Sequence, residues 1–125
     1  MTGWLNLAGA IGTVGMGLLG LLAPHKAAGF VGLKPLTPAG TSEFRATYGG
    51  LWIALGLVPI LSGDPLAYLM AGLCWALTAI GRLVSIVVDK AADARNWGAT
   101  LFEGAFAALL IVGAPAAQLG QRVGS

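Results

Sequence analysis

The sequence predicts an all-α membrane protein: a transmembrane four-helix bundle with both termini outside the cytoplasm. Three observations carry this reading. Of 125 residues, 57% are hydrophobic and only 10% charged, and mean hydropathy is +0.82, whereas soluble domains carry about 25% charged residues. Four apolar segments, each near the ~20 residues that cross a ~30 Å hydrocarbon core, are parted by short polar connections. Small residues recur at four-residue spacing within each segment. Residues 1–125 are expected to form a single integral membrane domain, with spans at 4–22, 43–61, 66–88 and 96–112.

The first span is broken by Ala23-Pro24-His25-Lys26, where proline and charge stop a membrane helix. Its start, Met1-Thr2-Gly3-Trp4, lacks the positive n-region of a cleaved signal, and its apolar run exceeds a typical h-region. The second span ends at Ser62-Gly63-Asp64-Pro65, the third at Asp89-Lys90, and the fourth at Gly113-Ala114-Pro115. In lipid every backbone amide must be bonded within its own segment, and nothing here alternates in polarity as barrel strands would, so the spans are helices. The connection from Ala23 to Thr41 holds three prolines yet also the greasy run Ala27-Ala28-Gly29-Phe30-Val31-Gly32-Leu33. It is expected to lie among lipid headgroups with Lys26 and Lys34 at the phosphates; the functional alternative is that it covers a cavity or docks on a partner.

Lys26, Lys34, Lys90 and Arg95 fall in the first and third connections, against Arg122 alone in the C-terminal tail. The positive-inside rule places those two connections in the cytoplasm.

Twenty glycines in a helical chain need a reason, since each costs about 1 kcal/mol relative to alanine in a helix interior. In membranes the return is close backbone approach. Gly9-xxx-Thr13-xxx-Gly17 marks the first span, Gly50-xxx-Ala54 the second, Gly72-xxx-Ala76 the third and Gly104-xxx-Ala108 the fourth. Trp4, Trp97 and Tyr68 sit near span ends as an aromatic belt would, while Trp52 and Trp75 lie deeper, as packing residues. Cys74 reads as a small packing residue. His25 has no second histidine or carboxylate cluster beside it, so no metal, haem or other cofactor is expected. The small net charge and the lack of a basic stripe speak against nucleic acid.

Three ionisable residues, Arg45, Arg82 and Glu103, stand inside apolar segments, where a charge costs roughly 2.5–3.5 kcal/mol on insertion scales. Arg82 precedes Asp89 by seven residues and Glu103 follows Trp97 by six, which at 1.5 Å per residue puts both about 10 Å into the same leaflet. They can meet. Thr78, Arg82, Ser85 and Asp89 follow at i+4, i+3 and i+4 on one helix face, as do Arg45, Tyr48 and Trp52 on another. The expected polar layer is therefore Arg45, Tyr48, Arg82, Ser85 and Glu103. Two readings are open: a pair locking two helices in register, or a site for an anionic ligand. There is no nucleophile with a histidine partner and no facing carboxylate pair, so no catalytic residue and no enzymatic activity are expected.

The run Glu43-Phe44-Arg45-Ala46-Thr47-Tyr48-Gly49-Gly50, with Gly81-Arg82 and Glu103 further on, resembles an uncharacterised family of small bacterial four-span membrane proteins, DoxX-like in general look. The resemblance covers nearly the whole chain. It implies the four-span fold, the bacterial inner membrane, and importance for Arg45, Tyr48, Gly49, Gly50, Arg82 and Glu103, but no reaction. Gly49, Gly50, Gly9 and Gly17 are the expected close-packing positions. With almost no extramembrane mass, the chain is expected to be a non-enzymatic accessory or assembly subunit within a larger membrane complex. Its expected partners are the lipid bilayer and either other membrane proteins or a second copy of itself. The alternative is a small binding protein or carrier for an anionic amphiphile or lipid, using the cytoplasmic-leaflet Arg/Glu/Tyr cluster.

Overall fold

The computed structural model describes residues 3–112, so the end of the fourth segment at Gly113-Ala114-Pro115 and the tail with Arg122 lie outside the described residues. The described chain is helical throughout, in five elements joined by short connections: α1 (Gly3–Leu22), α2 (Pro24–Val31), α3 (Pro38–Ser62), α4 (Pro65–Val88) and α5 (Ala94–Ile111). The helix starts follow from local chemistry. Pro24, Pro38 and Pro65 stand at first helical positions, where a missing N–H costs nothing. Thr37 Oγ1 accepts the Gly40 N–H at 3.0 Å, Asp64 Oδ1 the Leu66 N–H at 2.9 Å and Asp93 Oδ1 the Asn96 N–H at 2.8 Å. Each satisfies one of the donors a helix N-terminus leaves open. At the other ends, Gly32 and Gly63 take φ of 82° and 64°, which a residue with a Cβ adopts only under strain.

α1, α3 and α4 are long and apolar enough to cross a membrane. Their outward faces carry Leu22, Leu61, Leu77, Val87 and Val88, each at least 65% exposed. A surface of that kind belongs in lipid, and the chain reads as a membrane protein. α5 has 18 residues, interrupted by Arg95, Asn96 and Glu103, and does not reach the same apolar length; it packs most extensively on α4 and also on α1.

The connection expected among headgroups is half helical. α2 folds back on α1 and buries Ala27 and Ala28 against Phe44, Leu19 and Tyr48, while Phe30 and Leu33 of the same apolar run stay exposed. α3 begins at Pro38, five residues before the start expected at residue 43. Arg45 is therefore not in a first turn: it opens a π-helical stretch, Arg45–Leu51, in mid-helix. Such stretches are rare and recur at functional positions.

The widened turn lies against α1. A Cβ on Gly17 would come within 2.7 Å of the Ile53 backbone nitrogen, one on Gly49 within 2.9 Å of the Leu21 nitrogen, and one on Gly20 would overlap the Tyr48 carbonyl. Gly56 meets the Ala10 carbonyl in the same way. These are backbone-to-backbone contacts. Gly9 packs on Leu110 of α5. Gly50, expected among the close-packing positions, instead faces outward with nothing within 4 Å of its would-be Cβ.

The central core gathers Ala10, Ala71, Trp75, Ala107 and Leu110. Two polar side chains of α1 are built into it. Asn6 Nδ2 donates to the Leu109 carbonyl at 2.8 Å and the Val112 carbonyl at 3.2 Å, supplying acceptors at the α5 C-terminus with a donor. Thr13 Oγ1 donates to the Gly9 carbonyl at 2.8 Å and accepts the Trp75 indole N–H at 3.0 Å.

Candidate functional site

Arg82 of α4 and Glu103 of α5 meet in a two-pronged ion pair, Nε to Oε1 at 2.8 Å and Nη2 to Oε2 at 2.9 Å. Glu103 is only 6% exposed. The third arginine nitrogen, Nη1, donates to Asn96 Oδ1 at 2.9 Å, and Asn96 Nδ2 passes the chain on to the Ala91 carbonyl at 2.8 Å. Asn96 thereby ties the pair to the connection between α4 and α5. Both carboxylate oxygens and all three guanidinium nitrogens are engaged, so the network is neutral and geometrically fixed.

The pair forms the floor of a pocket of about 240 Å³ at the α2 end of the molecule. Trp52, Trp75 and Phe102 give it aromatic walls; Phe30 and Val31 of α2 close one side, and Arg95 stands among its lining residues. The walls belong to a continuous row of ring contacts, part stacked and part edge-on or tilted. Phe44 and Tyr48 lie 4.4 Å apart, Tyr48 and Trp52 5.3 Å, Trp52 and Trp75 4.9 Å, and Trp75 and Phe106 5.0 Å between ring centroids. Separations of this size are those at which ring quadrupoles attract.

Arg95 differs from Arg82. Its Nη1 donates to the Gly29 carbonyl in the last turn of α2 at 2.9 Å, and its Cδ lies 3.5 Å from where a Gly32 Cβ would stand. It is exposed, and among the described residues it has no carboxylate partner. A guanidinium has five N–H donors, so most of its capacity is left over beside the pocket.

The remaining members of the expected polar layer are elsewhere. Arg45 donates through Nη1 to the Leu21 carbonyl at the α1 C-terminus, a favourable end for a cation. Tyr48 sits in the aromatic row, one ring removed from the pocket. Ser85 donates to Asp89 Oδ2 at 2.6 Å and is separate from the Arg82–Glu103 network. Glu43, two residues before Arg45, accepts the Thr47 hydroxyl at 3.0 Å. Arg95 and Asn96 are the site residues that sequence reasoning missed. The Asp93 cap was the available signal: it starts α5 two residues earlier and puts Asn96 two turns below Glu103 on one face. Among the described residues, no three His, Cys, Asp or Glu side chains converge on a metal-sized space.

A sequence model of the family described as Domain of unknown function (DUF4345) matches residues 1–114. The chain belongs to the DUF4345 family. The match takes in α1 through α5 and therefore every residue of the pocket, so the pocket lies within the part of the chain that defines membership of DUF4345. No curated protein and no solved structure matches the chain.

Proposed function

We propose that this DUF4345 protein is a non-enzymatic binding protein of the membrane, holding an amphiphile with an anionic headgroup in the pocket that Arg82, Arg95 and Glu103 line with the aromatic walls. The observation that carries the reading is the contrast between the two arginines there. Arg82 is spent on Glu103 and Asn96, whereas Arg95 lines the same pocket with no carboxylate partner among the described residues. Aromatic walls with a few convergent polar groups are the usual make-up of a small-molecule site.

In this reading α5 is the fourth span of a four-helix bundle in a bacterial inner membrane. Lys26, Lys34, Lys90 and Arg95 then lie on the cytoplasmic side, and the pocket opens into that leaflet. The resemblance to small four-span, DoxX-like proteins supports the same placement. The accessory-subunit reading rests on outward small-residue faces such as Gly50 and Ala54, which lipid also covers.

The test is purification of the tagged full chain in a mild neutral detergent, with native mass spectrometry of protein and bound lipid. A lone chain or homo-oligomer carrying one enriched anionic amphiphile, lost on Arg95→Gln, is the expected result. Stoichiometric recovery of other membrane subunits, with no enriched small molecule, would move the assignment to an accessory role.

A further inference from the structure

Resting on that reading, we infer that the ligand is a single-chain monoanion, a carboxylate of the fatty-acid type, and that Arg95 is the residue that recognises its headgroup. The charge count around the pocket sets the valence. Its ionisable lining residues are Arg82, Arg95 and Glu103; the first and last cancel in a closed pair, leaving one positive charge. A carboxylate neutralises that charge and matches the guanidinium fork in two parallel hydrogen bonds. A dianionic phosphate monoester would bring a second negative charge close to Glu103, whose two oxygens already have their donors.

Size sets the number of chains. A volume of about 240 Å³ lies just below the range of about 300–1,000 Å³ usual for small-molecule sites. It suits a headgroup and the first several carbons of one chain rather than two chains side by side. The rest of the chain leaves past Phe30 and Phe102, which line the pocket and are 73% and 43% exposed, into surrounding lipid. The hydrogen bond from Arg95 to the Gly29 carbonyl holds the guanidinium at the C-terminal end of α2. A bound carboxylate needs two of the remaining donors, so recognition does not require α2 to be released.

The pocket walls contain two of the four tryptophans, Trp52 and Trp75, which gives a contact-range readout. In a Trp4→Phe/Trp97→Phe background of the full chain in neutral detergent, 6-bromododecanoate, whose bromine lies on the part of the chain nearest the pocket, should quench tryptophan fluorescence saturably. Arg95→Gln should weaken that binding by at least about tenfold, with the unfolding midpoint checked to be unchanged, and Arg95→Lys, which keeps the charge but not the fork, should fall between the two. Two-chain phosphatidylglycerol should not compete. Equal affinity for 6-bromododecan-1-ol, tighter competition by dodecyl phosphate, competition by phosphatidylglycerol, or an unchanged affinity in Arg95→Gln would each overturn the carboxylate assignment while leaving an amphiphile pocket in place. If no probe saturates, the binding function proposed above falls with it.

Discussion

Along the α1–α3 seam glycine backbones touch, while at the α2 end of the α4–α5 seam long side chains span the space between helices. The first seam has Gly17, Gly20, Gly49 and Gly56 facing main-chain atoms across the contact, with Arg45 crossing it only at the end, to the Leu21 carbonyl. The second is bridged by Arg82 and Glu103 and walled by indole and phenyl rings. Rigid, bulky groups that meet at their ends leave gaps beside their stems. A dry, close seam suits a structural hinge-post; a seam propped open by a neutral ion pair suits a receptor for a third molecule.

The largest expected effect comes from unbalancing the second seam. Arg82→Leu strands a carboxylate that is 6% exposed, and breaking a buried pair from one side costs about 3–5 kcal/mol. Arg82→Leu/Glu103→Leu removes both charges and should recover part of that loss, because no charge is left buried without a partner. Denaturant unfolding of both variants in micelles measures the coupling. Additive losses in the double variant would mean the two residues do not act as a pair.

The first seam should break by overpacking. Gly20→Leu places a side chain against the Tyr48 carbonyl, and main chain cannot rotate aside as a side chain can. A loss of about 3 kcal/mol or more in the same unfolding assay is expected, at the upper end of what extra core volume costs. A smaller loss would show that α1 and α3 can separate without harm.

These two seams were not equally legible in the sequence. The ion pair was, because helix rise converts residue counts into depth and the two charges fall at one level on consecutive helices. Helix ends were legible wherever proline, glycine or aspartate punctuates an apolar run, as at Ser62-Gly63-Asp64-Pro65. Faces were harder to assign. The π-helical turn at Arg45–Leu51 changes the angular step between residues, so the face drawn through Arg45, Tyr48 and Trp52 on α-helical spacing sends Arg45 to the end of α1 instead. α2 was hidden for a different reason: eight residues are too few to be helical alone, and Ala27 and Ala28 are helical because Phe44 and Leu19 wait to cover them. The buried Asn6 and Thr13 were overlooked because a single amide or hydroxyl does not interrupt an apolar span, although each binds a partner over 60 residues away.

Thr13 links the two seams, since it stands on α1 and holds the Trp75 indole that walls the pocket. Thr13→Val keeps the shape and removes the acceptor, leaving a buried N–H unpaired at a cost of about 1–3 kcal/mol. The unfolding midpoint should fall modestly. Ligand quenching of Trp75 should weaken as the ring loses its anchor, whereas a pure stability loss would leave quenching unchanged.

Gly50 offers the smallest effect and the sharpest comparison. It neighbours Gly49 in the same π-helical turn, and nothing lies within 4 Å of its would-be Cβ. Gly50→Leu should change stability by no more than about 0.5 kcal/mol, and the gain in helix propensity over glycine should tilt that change toward stabilisation. Gly49→Leu, one residue away, meets the Leu21 backbone and should behave like Gly20→Leu. Equal losses at both positions would place the cost in the π-helical backbone itself. Divergent losses locate it at the α1 contact, as the glycine geometry requires.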